Sequence, residues 1–273
     1  MELSRVKGKE PHILVQLDSV SKCFSAPVRN LRVLDNISIS VWQGEFISII
    51  GPSGCGKSTL LNIIAGLEEP SNGQVKLFNN EPGHRLGQVG YMQQKDLLLP
   101  WRTVLNNAIL SLEIQGIARS KARLKALDLM DKFGLHGFES HYPSSMSGGM
   151  RQRTAFLRTM LADRSLILLD EPFGALDALT RTQMQEWLLN LWDGSGKTII
   201  LVTHDVEEAL FLSDRVYVLT GRPGRVNMVS ESSIPRPRNY KLVTHKSFLT
   251  MKLKLMAALQ EEHQCTSKEL LQE

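Results

Sequence analysis

The chain has 273 residues, 42% of them hydrophobic and 22% charged, an ordinary globular composition that is long enough for one large domain. Its 32 basic and 28 acidic residues leave a net charge of +4, an excess too small to require a nucleic-acid or membrane partner. Three cysteines without metal-binding spacing, and no run near the roughly 18 apolar residues of a membrane span, predict a reduced intracellular chain.

The first strands are predicted after a polar start, residues 1–10, which we expect to be a flexible N-terminus. "HILVQL" is rich in apolar residues, and "NISISVW" alternates Ile37, Ile39 and Val41 with serines, which is typical of a half-buried strand. "FISII", "LILLD" and "TIILVTH" are continuously apolar or β-branched, as in strands buried on both faces of a parallel sheet. The predicted fold class is therefore α/β.

A glycine-rich loop, "GPSGCGKST", follows the first of these buried strands and precedes a short predicted helix. It satisfies the pattern G-x-x-x-x-G-K-[ST], in which glycines and the helix N-terminus present backbone N–H groups to phosphates. Lys57 is expected to reach the β- and γ-phosphates of a nucleotide, and Ser58 to ligate Mg²⁺. The residues predicted here to bind nucleotide are Gly51, Pro52, Ser53, Gly54, Cys55, Gly56, Lys57, Ser58 and Thr59.

The stretch between about residues 95 and 162 is helical in pattern and is predicted to be an insert within the sheet domain. In "SKARLKALDLMDKFG", Ser120 is placed to cap a helix and Gly134 to end it. Four apolar side chains share the face that we expect to be buried: Leu124, Leu127, Met130 and Phe133.

Two carboxylates, Asp170 and Glu171, end the buried run "LILLDEP". They are therefore expected at the carboxyl edge of the sheet, where α/β proteins place ligands. Asp170 is predicted to hold Mg²⁺, and Glu171 to orient or deprotonate a water that attacks the γ-phosphate.

The last part of the chain, residues 221–273, is predicted to extend a domain that spans residues 11–220. "DRVYVL" is predicted to be a last alternating strand, and "TGRPGRV" and "PRPRN" to be exposed connections. One further helix is predicted in the tail, and we expect it to pack on the domain rather than bind a partner. Its apolar face is formed by Leu249, Leu253, Met256 and Leu259.

Further motifs complete a recognisable set: "SGGMRQR" from Ser147, "GALD" from Gly174, and "VTHDVEEA", which contains His204. With the phosphate loop and "LILLDEP", they stand in the order of the ATP-binding cassette (ABC) ATPases. The chain resembles the free-standing subunits of importers of this family from about Leu17 to Leu219. The resemblance implies a P-loop NTPase fold with a mainly parallel RecA-like core, an antiparallel β subdomain and the inserted helical subdomain.

The resemblance adds residues to the catalytic site. Gln94, rather than the adjacent Gln93, takes the Q-loop position and is assigned to catalysis and to Mg²⁺. His204 would contact the γ-phosphate or the attacking water. Phe24 stands where the family places a ring, usually Tyr, that stacks on adenine.

In the family, two copies sandwich two ATP molecules head to tail. The signature motif, "SGGMRQR", would offer Ser147, Gly148 and Gly149 to the nucleotide held by the phosphate loop of the second copy. Asp177, in the D-loop "GALD", would help to align the copies. The residue before the signature motif is Met146, where Leu is usual.

The resemblance implies an ATPase at the cytoplasmic face of the membrane, whose dimer closure drives solute uptake through a separate permease. "LLPWRTVLNN" and "DEPFGALDALTR" look most like the branch serving nitrate, sulfonate, taurine and thiamine-pyrimidine-precursor importers, in which an external solute-binding protein delivers the solute. The apolar run with Leu97, Leu98, Leu99 and Trp101 is either core or a docking site for a permease helix.

The competing hypothesis is a soluble cassette ATPase that acts on DNA or ribosomes. Chromosome-maintenance members insert long coiled coils between phosphate loop and signature motif, but only about ninety residues separate Lys57 from Ser147, without sustained heptads. Translation-factor members carry two cassettes, and this chain has one. No basic stripe is interleaved with aromatic residues, so no nucleic-acid partner is expected.

Overall fold

The structure, a computed structural model, describes residues 12–25, 30–78 and 83–269, with side chains up to residue 260. The predicted flexible N-terminus, residues 1–10, lies outside these ranges. The strands are β1 (Ile13–Phe24), β2 (Leu31–Trp42), β3 (Phe46–Ile50), β4 (Asn72–Leu77), β5 (Gly90–Met92), β6 (Leu166–Asp170), β7 (Thr198–Val202), β8 (Arg215–Leu219) and β9 (Val226–Glu231). The helices are α1 (Lys57–Ala65), α2 (Val104–Ala108), α3 (Leu110–Ile114), α4 (Arg119–Met130), α5 (Gly148–Leu161), α6 (Ala178–Trp192), α7 (Val206–Leu212) and α8 (Lys246–Glu269).

The strands form two sheets. A six-stranded sheet has the order β5-β6-β7-β3-β8-β9 and is parallel except for β9, while β1 pairs antiparallel with β2 and β4. Every residue of β3, β6 and β7 is buried, because these central strands are covered on both faces. In β2, Ile37, Ile39 and Val41 are buried, as their alternation predicts. The α/β class and the two-sheet architecture with added helices are confirmed.

Helix α4 turns a different face to the core from the one that the apolar spacing predicts. Leu124 is 70% exposed and Leu127 is 40% exposed, so the prediction that they are buried is wrong. Met130 is buried together with two alanines of α4, Ala122 and Ala126, at a spacing of four residues. The small alanine side chains let α4 lie close to α2 and α5. This close packing, and not the hydrophobicity of the leucines, determines which face of α4 is buried.

The start of α4 is also corrected. The helix begins at Arg119 after Ala118, so Ser120 lies in the first turn and does not cap it. Phe133 is fully buried as predicted, but Gly134 does not end the helix: α4 ends at Met130, and Gly134, with a positive φ of 59°, lies in the turns that follow.

A matched pair of substitutions tests the face of α4. Met130→Ala is expected to lower the free energy of unfolding by about 2–5 kcal/mol, because a buried side chain leaves a cavity. Leu124→Ala is expected to change it by less than about 0.5 kcal/mol, since Leu124 is exposed. Urea denaturation of both variants measures this difference, and equal losses would contradict the observed orientation.

The C-terminal part is more closely attached than the sequence indicates. Beyond β8, which is buried from Val216 onward and does not alternate, the chain adds a strand, β9, that was not predicted. "TGRPGRV" is not an exposed connection throughout: Gly224 is buried and exchanges backbone hydrogen bonds with β2, donating to Val33 O at 2.9 Å and accepting from Asp35 N at 2.9 Å. Arg225 pairs with the Asp35 carboxylate.

"PRPRN" is likewise attached to the domain. The Arg238 side chain is buried and donates to the carbonyls of Leu210, Phe211 and Ser213 at the end of α7. The guanidinium satisfies carbonyl groups that have no partner within the helix. The prediction of an exposed connection is therefore wrong for Arg238, although Pro235, Pro237 and Asn239 are exposed as predicted.

Helix α8 packs on the domain as predicted, but with another face. Among the α8 side chains that the structure describes, up to residue 260, the buried ones are Phe248, Leu255 and Ala258. The predicted core residues Leu249, Leu253 and Met256 are 45%, 68% and 39% exposed, and Leu259 is half-buried. Across the described residues, no helix has both the length and the apolar character needed to cross a membrane.

Candidate active site

The phosphate loop joins β3 to α1 and depends on its glycines. Gly56 precedes the first residue of α1 with a φ of 103°, and a Cβ added there would lie 2.7 Å from Leu34 Cδ2. Gly54 also has a positive φ, 76°. A residue with a side chain would be strained at either position. Glycine therefore allows the loop to take the shape in which its backbone N–H groups point inward.

Lys57 is buried at the start of α1 with its ammonium held by the loop. Its Nζ donates to Gly51 O at 2.7 Å and Pro52 O at 2.9 Å, and lies 3.9 Å from Cys55 Sγ. A phosphate oxygen is a stronger acceptor than these groups because it is charged. Cys55, within the loop, is buried, and burial raises the pKa of its thiol although Lys57 opposes the shift.

Asp170, at the end of β6, is 2% exposed. Burial raises the pKa of its carboxyl, the hydrogen bond from Ser58 lowers it, and the charge of Glu171 raises it further. Its Oδ1 is buried without a hydrogen-bond partner among the described residues. A carboxylate oxygen free for a ligand, beside a serine hydroxyl at the phosphate loop, is the oxygen donor set that Mg²⁺ prefers. The residues therefore fit the predicted ion.

Glu171 lies between Gln94 and His204. Gln94 Nε2 donates to Glu171 Oε2 at 3.2 Å, and His204 Nδ1 is 3.4 Å from Glu171 Oε1. The three residues follow β5, β6 and β7, which are neighbours in the sheet, so their side chains meet at one carboxyl edge. Glu171 has a positive φ of 49°, a backbone conformation that is uncommon for a non-glycine residue.

Sequence reasoning missed one residue that positions Glu171. Gln152 is buried in α5, donates from Nε2 to Glu171 O at 2.9 Å, and accepts at Oε1 from Ala175 N at 2.8 Å. One amide thus joins the signature helix to the backbone of Glu171, the proposed catalytic carboxylate, and to the D-loop. In "SGGMRQR", Gln152 stands four residues after Gly148 and therefore on the same face of the helix, but the sequence does not show what that face contacts.

We predict that Gln152→Ala lowers kcat for ATP hydrolysis by roughly ten- to a hundredfold, because a small displacement of Glu171 misorients the reacting groups. KM for ATP should change less, since Gln152 does not contact the phosphate loop in the described structure. Steady-state kinetics measure both parameters, with Gln183→Ala on an exposed position of α6 as the control. An unchanged kcat would show that Gln152 has no positioning role.

The signature motif and the D-loop each begin a helix. Ser147 caps α5 by accepting from Met150 N at 3.3 Å, and Gly148 and Gly149 are the first residues of that helix. Asp177 caps α6 by accepting from Thr180 N at 3.0 Å. Within the described chain, no hydrogen bond or ion pair joins these residues to the phosphate loop, so one copy does not bring the two sets of predicted residues together.

Phe24, the predicted adenine-stacking residue, ends β1 and is 36% exposed. Lys22 Nζ lies 4.8 Å from the centre of its ring and is paired with Glu68. The ring therefore combines an accessible apolar surface with a nearby cation.

Comparison with known proteins finds a matching family and close similarity to import ATP-binding proteins. The model of the ABC transporter family matches residues 34–174. The chain is 43% identical over 231 residues to the formylaminopyrimidine import ATP-binding protein ThiZ of Halalkalibacterium halodurans, covering 85% of this chain and 88% of that protein. It is 41% identical over 242 residues to the aliphatic sulfonates import ATP-binding protein SsuB of Bacillus cereus, covering 89% and 94%.

A solved structure of an ATP-binding cassette has the same fold as this chain. The dimeric, post-hydrolysis state of the ATP-binding cassette MJ0796 bound to ADP and Pi superposes with a TM-score of 0.74 at 32% identity. The match covers 80% of this chain and 98% of that one.

Proposed function

The chain belongs to the ABC transporter family and is an ABC ATPase, and from this premise we propose that it powers an importer. In this proposal, ATP-driven closure of two copies is coupled to uptake of a solute through a separate membrane permease. The importer names of its relatives support this over a soluble ATPase acting on DNA or ribosomes. The observation that carries the catalytic part is the meeting of Gln94, Glu171 and His204 beside the phosphate loop.

We assign the steps of hydrolysis as follows. The phosphate loop and Lys57 bind the phosphates, and Phe24 stacks on the adenine. Glu171 accepts a proton from the attacking water, while Gln94 and His204 hold its carboxylate in position. Mg²⁺, held by Ser58, Asp170 and Gln94, would neutralise charge on the phosphate oxygens.

The second copy is required because the signature motif lies away from the phosphate loop of its own chain. Ser147, Gly148 and Gly149 at the start of α5 form an anion-binding helix N-terminus that is free to meet the nucleotide of another copy. Asp177 at the start of α6 would lie at the same contact. The dimer of the related cassette MJ0796 supports this arrangement.

The permease is proposed to dock beside Gln94. Leu98 is buried there, but Leu97 and Trp101 are 49% and 71% exposed, so the apolar run serves both core and surface. Arg158 fixes the backbone of this segment by donating to the Leu97 carbonyl at 2.9 Å and the Asp96 carbonyl at 2.8 Å. Because its backbone is fixed and the large apolar side chains of Leu97 and Trp101 are exposed, this segment could bind a helix of the permease.

The solute is proposed to be an aliphatic sulfonate or a formylaminopyrimidine, following the relatives' names. An external solute-binding protein would deliver it, and the ATPase would sit at the cytoplasmic face of the membrane through its contact with the permease. The nucleotide site itself has no part in recognising the solute.

The function is tested by affinity purification of the tagged chain from detergent-solubilised membranes of its host, followed by mass spectrometry. We expect a permease in equal copy number with the wild type and a clear loss of it with Trp101→Ser. Leu124→Ser, at an exposed leucine of α4, is the matched control and should retain the permease. Recovery of only ribosomal or DNA-bound proteins would contradict the importer.

A further inference from the structure

A small, partly open pocket lies beside the proposed catalytic residues Glu171 and His204. It has a volume of about 30 Å³ and is bounded by Glu171 and His204 on one side and by Arg181 and Glu208 on the other. A cavity needs roughly 10–15 Å³ to hold one water molecule. The space therefore has room for at least one water between the proposed catalytic residues and two titratable side chains, Arg181 and Glu208, to which the proposed mechanism gives no role.

Two buried polar atoms at this cavity lack partners. Glu208 Oε1 and Arg181 Nε are both without a hydrogen bond in the part of the chain that the structure describes. Glu208 is 6% exposed, and its other oxygen accepts from Gln185 Nε2 at 3.3 Å. Since unsatisfied buried polar atoms are costly, a water shared by the two residues accounts for both.

The same residues connect the two loops that flank Glu171. Arg181 Nη2 donates to Leu176 O at 3.1 Å, directly before Asp177 in the D-loop. Glu208 is hydrogen-bonded to Thr203, the residue before His204. Arg181 therefore contacts the D-loop, Glu208 contacts the residue before His204, and both line the same pocket.

The environment favours the neutral form of Glu208. Burial raises the pKa of its carboxyl to about 8, and the charge of Asp205 acts in the same direction. Arg181 of α6 and the hydrogen bonds from Thr203 and Gln185 lower it, without outweighing burial.

We propose that Glu208 is a positioning residue: as a neutral acid it donates through the cavity water and holds the His204 loop against Arg181 and the D-loop. The inference rests on the proposed roles of Glu171 and His204 in ATP hydrolysis. Deprotonation replaces the donor by a buried anion, which draws Arg181 toward itself and away from the D-loop carbonyl. Turnover should therefore be retained below pH 8 and lost as the pH rises above it.

The test is the pH dependence of ATP hydrolysis by the full chain, comparing wild type with Glu208→Gln. The amide keeps a donor and an acceptor but does not titrate. Wild-type kcat should fall about fivefold from pH 8 to pH 9, because a group with a pKa of about 8 is half neutral at pH 8 and roughly a tenth neutral at pH 9. Glu208→Gln should fall less than twofold.

Two further variants separate hydrogen bonding from packing and from charge. Glu208→Leu fills the site without a donor and should lower kcat at every pH while nucleotide binding is retained. Glu207→Gln removes a charge on the same turn, where Glu207 pairs with Lys252 and not with the cavity, and should keep the wild-type profile.

Superimposable profiles for wild type and Glu208→Gln would overturn the proposal, as would full activity of Glu208→Leu. Circular dichroism at pH 9 shows whether the wild type is still folded there, and a fall explained by unfolding would also count against it. The catalytic assignment fails separately, if Glu171→Gln hydrolyses ATP normally.

Discussion

Glu171→Gln is expected to lower ATP hydrolysis by at least roughly a hundredfold and to leave ATP binding intact. The carboxylate is the only acid that contacts both Gln94 and His204 among the described residues, and an amide cannot take a proton from water. Gln has the same shape and keeps an oxygen that accepts from Gln94, so the sheet edge should not rearrange. The nucleotide would then stay bound and unhydrolysed.

Phosphate release measures the first part of this prediction, and titration with a fluorescent ATP analogue measures the second. Asp193→Asn, an exposed acid after α6, is the control for the loss of one negative charge and should hydrolyse ATP normally. Turnover by Glu171→Gln within tenfold of wild type would mean that another group accepts the proton.

Lys57→Ala is expected to abolish hydrolysis and also to weaken ATP binding, by at least roughly tenfold in Kd. Two effects combine in this variant. The phosphates lose a charge-assisted hydrogen-bond donor, and the carbonyls of Gly51 and Pro52 lose the ammonium that holds the loop closed. The contrast with Glu171→Gln, which should bind ATP, separates binding from chemistry.

Equilibrium binding of the same analogue tests this prediction, and Lys57→Met is the matched variant because it keeps an unbranched apolar stem without the charge. If the charge is the main contribution, Met and Ala weaken binding alike. Wild-type affinity in either variant would show that the loop does not hold the phosphates.

The parts of the fold and site that the sequence predicted are those set by short, local patterns. Continuous apolar runs identified β3, β6 and β7, because a strand buried on both faces tolerates few polar residues. Since parallel strands end at one edge, Glu171 and His204, which follow two of these runs, were expected at the edge of the sheet, whereas Gln94 was assigned only through the family resemblance. Their functional roles remain proposals.

The parts that were not predicted depend on contacts between distant segments. The leucines of α4 were expected in the core, but alanines at the α2 and α5 contacts decided which face is buried. Arg238 lies in a Pro- and Arg-rich stretch typical of loops, yet it is buried because the end of α7 offers carbonyls in need of donors. Gln152 and Glu208 gain their importance from backbone groups and a cavity that no local pattern shows.

The claim on which this account depends most is that two copies share each nucleotide, and the mass in solution of Glu171→Gln tests it directly. Light scattering should give the mass of one chain without nucleotide and of two chains with ATP. Adding Ser147→Arg, which blocks the signature motif but not the chain's own phosphate loop, should restore the single-chain mass while ATP still binds. A single-chain mass for Glu171→Gln saturated with ATP would contradict the shared site.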